Sequence, residues 1–141
     1  MKLINIEKIK EAREKLNGII AYNRLAFAPR LSKIANAKVF LKKENLQLTG
    51  AFKIRGAFNK LSSLKQEDEK NGTNILNRGV ICSSAGNHAQ GVAFSSRHFG
   101  VRAVIVMPES TPLLKVSGTR EMGAESGFGG KTIMTKLMLK L

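Results

Sequence analysis

The chain has 141 residues, 43% of them apolar, with 24 Lys+Arg against 10 Asp+Glu for a net charge of +14, and a single cysteine. That length fits one domain or a piece of one, and the apolar fraction excludes wholesale disorder despite the charge. A lone Cys82 excludes both an internal disulfide framework and a multi-cysteine zinc site, so no metal is expected. The basic excess raises a nucleic-acid or acidic-surface partner, although charge alone speaks to solubility and non-specific association. The first residues are charged from Lys2 and acquire Glu7, Glu11 and Glu14, which leaves no signal-peptide apolar core. No apolar run approaches the roughly 18 residues that a bilayer span needs. A cytoplasmic protein with no membrane partner is expected.

In chain order, Ile6, Ile9, Ala12, Arg13 and Leu16 fall at helical spacing, with Asn5 placed to cap the start and Asn17-Gly18 to stop it. A connecting stretch with Pro29 follows. Residues 38–43, Lys-Val-Phe-Leu-Lys-Lys, read as a short strand. Thr49-Gly50 punctuates the chain, and residues 52–64 place Ile54, Ala57, Phe58, Leu61 and Leu64 on one helical face. Residues 66–72 are polar and read as a loop. Then a unit repeats: an apolar strand over 80–83, a turn over 85–87 and a helix over 88–98 closed by Gly100, then a buried strand over 103–107 and a helix over 113–122 stopped by Gly123. Short buried strands alternating with helices predict a parallel α/β sheet.

In such sheets ligands sit where strand C-termini meet helix N-termini. Residues 83–88, Ser-Ser-Ala-Gly-Asn-His, occupy such a junction and suit a small anion: glycine admits close approach, and the first helical N–H groups favour a carboxylate. Taken alone, the same composition is what any strand-to-helix turn uses. Lys53 begins a helix beside Phe52 and Ile54, where the dipole opposes its charge and partial burial would depress its pKa, as Schiff-base chemistry requires. Taken alone, it is also an ordinary solvated helix position.

Two long motifs together change that balance. Residues 41–61, Leu-Lys-Lys-Glu-Asn-Leu-Gln-Leu-Thr-Gly-Ala-Phe-Lys-Ile-Arg-Gly-Ala-Phe-Asn-Lys-Leu, closely resemble the cofactor-lysine segment of threonine dehydratases, and residues 83–93 resemble their substrate loop. The resemblance also takes in the strand and helix from Val106-Met107-Pro108 to Lys115-Val116, and it runs from near the first residue to Glu125. It implies a pyridoxal 5'-phosphate enzyme with the three-layer, parallel-sheet α/β fold of the tryptophan-synthase-β type, here incomplete. Residues 1–48 would start the large domain, 49–125 would form most of the small α/β domain, and 126–141 would be an aberrant tail. Lys53 would hold the cofactor covalently and move the Cα proton, Phe52 would pack beside the ring, and Asn87 would bond its phenolic oxygen. Ser84, Ala85, Gly86 and His88 would line the pocket for the carboxylate of an amino-acid substrate. The implied reaction is dehydration and deamination of threonine or serine, and full-length members are usually homo-oligomers.

Two positions depart from the family pattern. Ala51 stands where most relatives have Ser, a small change with a modest expected effect on the cofactor pocket. Ala85 stands where serine racemases, the other enzyme reading, carry a Ser that works on the cofactor's opposite face; its absence favours dehydration over racemisation. After Glu125 the resemblance fails, and all 10 acidic residues lie at or before that position. Reading residues 131–141 from the third base of each codon allows Asn-Tyr-Asn-Asp-Glu-Ala-Tyr-Ala-Lys-Ala, and residues 126–128 from the second base allow Val-Val-Leu, both similar to the family's continuation. A slip of reading frame after Glu125 is therefore expected, with an ordinary short helix over 133–141 as the alternative. Without the parts beyond it, this chain alone is expected to be inactive. The readings from other classes are a basic nucleic-acid-binding module, against which stand dispersed basic residues and no Trp, and a non-catalytic remnant associating through an open sheet edge.

Overall fold

The computed structural model describes residues 4–128. Helix α1 (Ile6–Leu16) begins where the Asn5 side chain accepts the Lys8 N–H at 3.1 Å. Leu16 is its buried residue, and Lys15 reaches Ser63 at 3.1 Å.

The stretch expected as a plain connection contains strand β1 (Leu25–Phe27) and helix α2 (Pro29–Ala35), and the strand expected over 38–43 is β2 (Phe40–Lys42). β1 and β2 pair antiparallel, Leu25 opposite Lys42 and Phe27 opposite Phe40, so this ribbon stands apart from the parallel sheet. Three-residue strands are too short to show alternation, and Pro29 marks a helix start as readily as a loop. Ser32 ties the unit together: its hydroxyl donates to the Ala28 carbonyl at 2.8 Å and accepts the Val39 N–H at 2.9 Å. The ribbon leaves Leu25, Phe27 and Phe40 exposed, and α2 leaves Ile34 exposed.

Helix α3 (Lys53–Asn71) buries Ile54, Ala57, Phe58 and Leu61 as its spacing predicts. It corrects the loop expected over 66–72, because Gln, Glu and Lys are competent helix formers on an exposed face and Gly72, at φ +65°, is the actual stop. Buried Asp68 explains the polar run further. Its carboxylate accepts the Thr73 hydroxyl at 2.6 Å and the Ile75 and Leu76 N–H groups at 2.9 Å each, closing the turn that leads into the sheet.

The sheet runs β3 (Val80–Ser83), β4 (Ala103–Met107), β5 (Glu125–Phe128), all parallel, joined by helices α4 (Asn87–Phe99) and α5 (Leu113–Glu121). Cys82, Ala103, Ile105 and Met107 share one core with Ala89, Val92 and Ala93 of α4 and Val116 of α5, which places both helices on the same face. Ile81 and Val104, at the alternate positions, remain half-buried. Two layers of an α/β sandwich are thus formed among the described residues, in keeping with an incomplete fold.

The expected departure after Glu125 falls inside β5, and residues 129–141, with the helix considered over 133–141, lie outside the described residues. Glu125, Ser126, Gly127 and Phe128 pair with Val104, Ile105, Val106 and Met107. The strand forms although Ser and Gly are poor strand residues, because β4 offers a complete parallel edge. A Cβ at Gly127 would meet no atom within 4 Å. Gly127→Val is therefore expected to stabilise the chain by about 1 kcal/mol, through lost unfolded-state entropy and added burial, and to raise Tm by about 4 °C. Thermal unfolding checks this; a fall in Tm would mean that the strand does not favour the Val that the shifted frame allows.

Candidate active site

Lys53 enters α3 from a tightly held turn. Upstream, Glu44–Leu46 forms one 3-10 turn, and the buried Gln47 uses its side-chain amide as a substitute strand partner. Its Oε1 accepts the Ala21 N–H at 2.8 Å and the Leu48 N–H at 3.1 Å, while its Nε2 donates to the Ala21 carbonyl at 3.0 Å. Gly50 then takes the left-handed φ of +65° that the sharp turn needs, its N–H donating to the Gln47 carbonyl at 2.7 Å. Ala51 and Thr49 are buried, and the Arg55 guanidinium grips the Glu44 carboxylate through Nε at 2.9 Å and Nη2 at 2.7 Å. That fork holds the Glu44 carboxyl below its ordinary range.

Lys53 itself is exposed, which corrects the expected partial burial: only the Ile54 side of the helix is covered. Its ammonium lies 5.3 Å from the centre of the Phe52 ring and, among the described residues, takes part in no ion pair.

The loop Ser84-Ala85-Gly86 joins the C-terminal end of β3 to the first turn of α4, where Asn87 and His88 sit exposed. The Ser84 N–H donates to the Val106 carbonyl at 3.1 Å, and the Ser84 hydroxyl accepts the Gly86 N–H at 3.3 Å, which fixes the loop at the sheet's end. No side chain caps α4 and no acid stands in its first turn, so its leading N–H groups face the loop uncompensated. Burial pushes the Cys82 thiol up, as befits an unreactive core cysteine.

One glycine joins the two halves. A Cβ on Gly91 would lie 3.2 Å from the Ile54 Cα, the Ile54 N and the Lys53 carbonyl carbon, so only glycine allows α4 to seat against the start of α3. Asn87 lies one turn, about 6 Å, before Gly91 on the same face of α4. Further along, the Phe58 ring meets both His98 and Phe99 at 4.9 Å between centroids. Contacts of Ile54 with Gly91 and of Phe58 with His98 advance together, so α3 and α4 run the same way and bring their positive ends to one place. Beside them a groove of about 390 Å³ opens between α3 and the edge of β3, reached by Lys60, Ser83 and His88 over apolar walls.

The contact of Gly91 with the Lys53–Ile54 backbone thus sets the start of α3, with Phe52 and Lys53, against the first turns of α4, which carry Asn87 and His88, and Ser84, Ala85 and Gly86 lead into α4 from the C-terminal end of β3, where α/β sheets bind ligands. Sequence reasoning gave no role to Glu44, Gln47, Arg55 or Gly91, although all four lie inside the motifs; a conformational role is not visible from composition alone.

Residues 16–135 match the family model described as pyridoxal-phosphate dependent enzyme. The chain belongs to that family. It is 46% identical over 123 residues to an L-threonine ammonia-lyase of Thermotoga maritima, an alignment covering 87% of this chain and 29% of that protein. The chain therefore spans about three tenths of that relative's length. Among solved structures it resembles serine racemase from Dictyostelium discoideum, at 29% identity and a TM-score of 0.84, covering 97% of this chain and 43% of that one. It also resembles the processed form of threonine deaminase isoform 2 from Solanum lycopersicum, at 32% identity and a TM-score of 0.73, covering 91% and 35%. The family match runs ten residues past Glu125, into the segment expected to be aberrant.

Proposed function

We propose that this chain carries the cofactor-lysine and substrate-loop part of a pyridoxal-phosphate-dependent threonine ammonia-lyase, which turns L-threonine into 2-oxobutanoate and ammonia, and L-serine into pyruvate and ammonia. The packing of Gly91 on the Lys53–Ile54 backbone carries this reading, because it holds an exposed amine, without an ion pair among the described residues, beside an uncapped helix start. The residues present fit the cofactor: an exposed amine for its aldehyde, and two uncapped helix N-termini without acidic residues for anionic groups. When bound, the cofactor supplies an electron sink for the pair left by the broken Cα–H bond.

In this reading Lys53 would hold the cofactor through its amine and would carry the Cα proton. The first N–H groups of α4, with Ser84 and Gly86, hold the substrate carboxylate. Asn87 would orient the cofactor. The substrate loses its β-hydroxyl as water, and a second water releases ammonia, so threonine balances with 2-oxobutanoate plus ammonia. Ala85 carries no exchangeable proton, which counts against the racemase reading despite the close overlay with serine racemase.

Among the described residues nothing covers the exposed Lys53 or the ribbon bearing Phe27 and Phe40, and the chain alone should hold cofactor weakly and turn over little threonine. Purified chain titrated with pyridoxal phosphate should show borohydride-reducible label at Lys53 and scarcely any 2-oxobutanoate. Label spread evenly over all lysines would refute the cofactor assignment, and rapid 2-oxobutanoate release would refute the dependence on further sequence.

A further inference from the structure

Two forked Arg–carboxylate pairs occur among the described residues, and they differ in setting. Arg102–Glu125 is a surface pair, with side chains 63% and 61% exposed, linking the starts of two strands. Arg55–Glu44 is largely shielded, at 32% and 18%, and bridges the turn that delivers Lys53. Shielding makes a forked pair more than a decoration, since exposed pairs contribute little.

We propose that the Glu44–Arg55 fork is a clasp that sets where Lys53 stands, making both positioning residues for its amine. The inference rests on the functional reading above for what the amine does, but its structural content stands apart from it. Within the described residues the Lys53 ammonium makes no ion pair or hydrogen bond and lies over the Phe52 ring, so its place is set by its backbone rather than by a polar partner. That backbone is fixed on one side by Gln47 gripping Ala21 and on another by Gly91. Between Gln47 and the helix lie the left-handed Gly50 and Phe52, which caps α3 with no side-chain hydrogen bond. The fork closes this interval from Glu44 to Arg55, eleven residues on, with Lys53 two residues from the closing point. A closed loop of this size loses far less freedom when it orders its last residues than an open one. The charged groups around Glu44 are Arg55, its hydrogen-bond partner, and Lys42, which adds a weaker attraction.

Hydrogen exchange on the chain without cofactor tests the clasp directly. In Glu44→Gln the amides of Gly50 and Arg55, bonded to the Gln47 and Phe52 carbonyls, should exchange about tenfold faster, as local opening becomes easier. Glu125→Gln, which breaks the exposed fork, should leave those two amides unchanged. Arg55→Lys, keeping charge without the fork, should move them the same way by less, and the reversed pair Glu44→Arg with Arg55→Glu should restore them. The Glu44 carboxyl titrates below its ordinary value, so the clasp is fully present above pH of about 4.3 and is lost as pH falls through the lowered value. The wild-type advantage over Glu44→Gln should vanish in that lower range. Reductive labelling of Lys53 by pyridoxal phosphate should slow several-fold in Glu44→Gln and recover in the reversed pair. Unchanged exchange at Gly50 and Arg55 in both Glu44→Gln and Arg55→Lys would overturn the clasp. Absence of Lys53 labelling in the wild type would overturn the functional reading instead, while the exchange result still decides the clasp.

Discussion

Replacing Lys53 with alanine is expected to remove the borohydride-stable pyridoxal-phosphate label from residues 53–56 and to leave only slow, scattered modification elsewhere. The reason is chemical before it is structural. A neutral amine is needed to condense with an aldehyde, and of the lysines on α3 only Lys53 stands at its uncapped start, beside the uncapped start of α4, where the proposed reading puts the cofactor's anionic groups. Lys60, two turns along the same helix, reaches the neighbouring groove but not that junction, and serves as the internal comparison. Labelling rate at residue 53 should exceed that at Lys60 in the wild type, and total labelling in Lys53→Ala should fall to the slow background of the other lysines. Lys53→Arg should fall equally, because guanidinium keeps the charge but has no proton to give up near neutral pH. Peptide mapping by mass spectrometry reads both. Equal labelling at Lys53 and Lys60 would end the assignment of Lys53 as the cofactor lysine.

The parts of this fold written plainly in the sequence are those whose side chains report their own environment. The stripe Ile54, Ala57, Phe58, Leu61 marks the buried face of α3, and the apolar run over 103–107 marks β4, because burial demands those residues at those intervals. The start of α1 was legible from Asn5 and the stops of α4 and α5 from Gly100 and Gly123, both left-handed. What escaped were elements stabilised by something other than their own pattern. The ribbon β1–β2 is three residues deep and held by Ser32, and the polar end of α3 is held by Asp68 reaching ahead to residues 73–76. The candidate site shows the same division. Lys53, Asn87 and the loop 84–86 are the residues that the motif nominates, because the proposed chemistry requires those residue types. Glu44, Gln47 and Arg55 act only through distances that a linear string does not contain.

Gly91 is the sharpest case, and its replacement carries the second large expected effect. Glycine inside a helix costs about 0.5–1 kcal/mol relative to alanine, so Gly→Ala would be stabilising wherever space allows. Gly56 on α3 is such a place, with nothing within 4 Å of an added Cβ, and Gly56→Ala should raise stability by about 1 kcal/mol. At Gly91 the added carbon meets three backbone atoms at 3.2 Å, and backbone cannot rotate aside as a flexible side chain can. Overpacking of that kind costs about 1–3 kcal/mol, which exceeds the helical gain. Gly91→Ala should therefore lower Tm while Gly56→Ala raises it, and Gly91→Val should lower it further. Relief of the clash moves α4 away from the Lys53–Ile54 backbone, carrying Asn87 and the loop with it. Since a misplacement of about 1 Å can cost a reaction about a hundredfold, labelling of Lys53 should fall by about 10- to 100-fold in Gly91→Ala. It should stay near the wild-type rate in Gly56→Ala. Paired thermal melts and labelling rates separate the two effects: a Gly91→Ala protein that is less stable yet labels Lys53 at full speed would show that the helix contact supports the fold without placing the site.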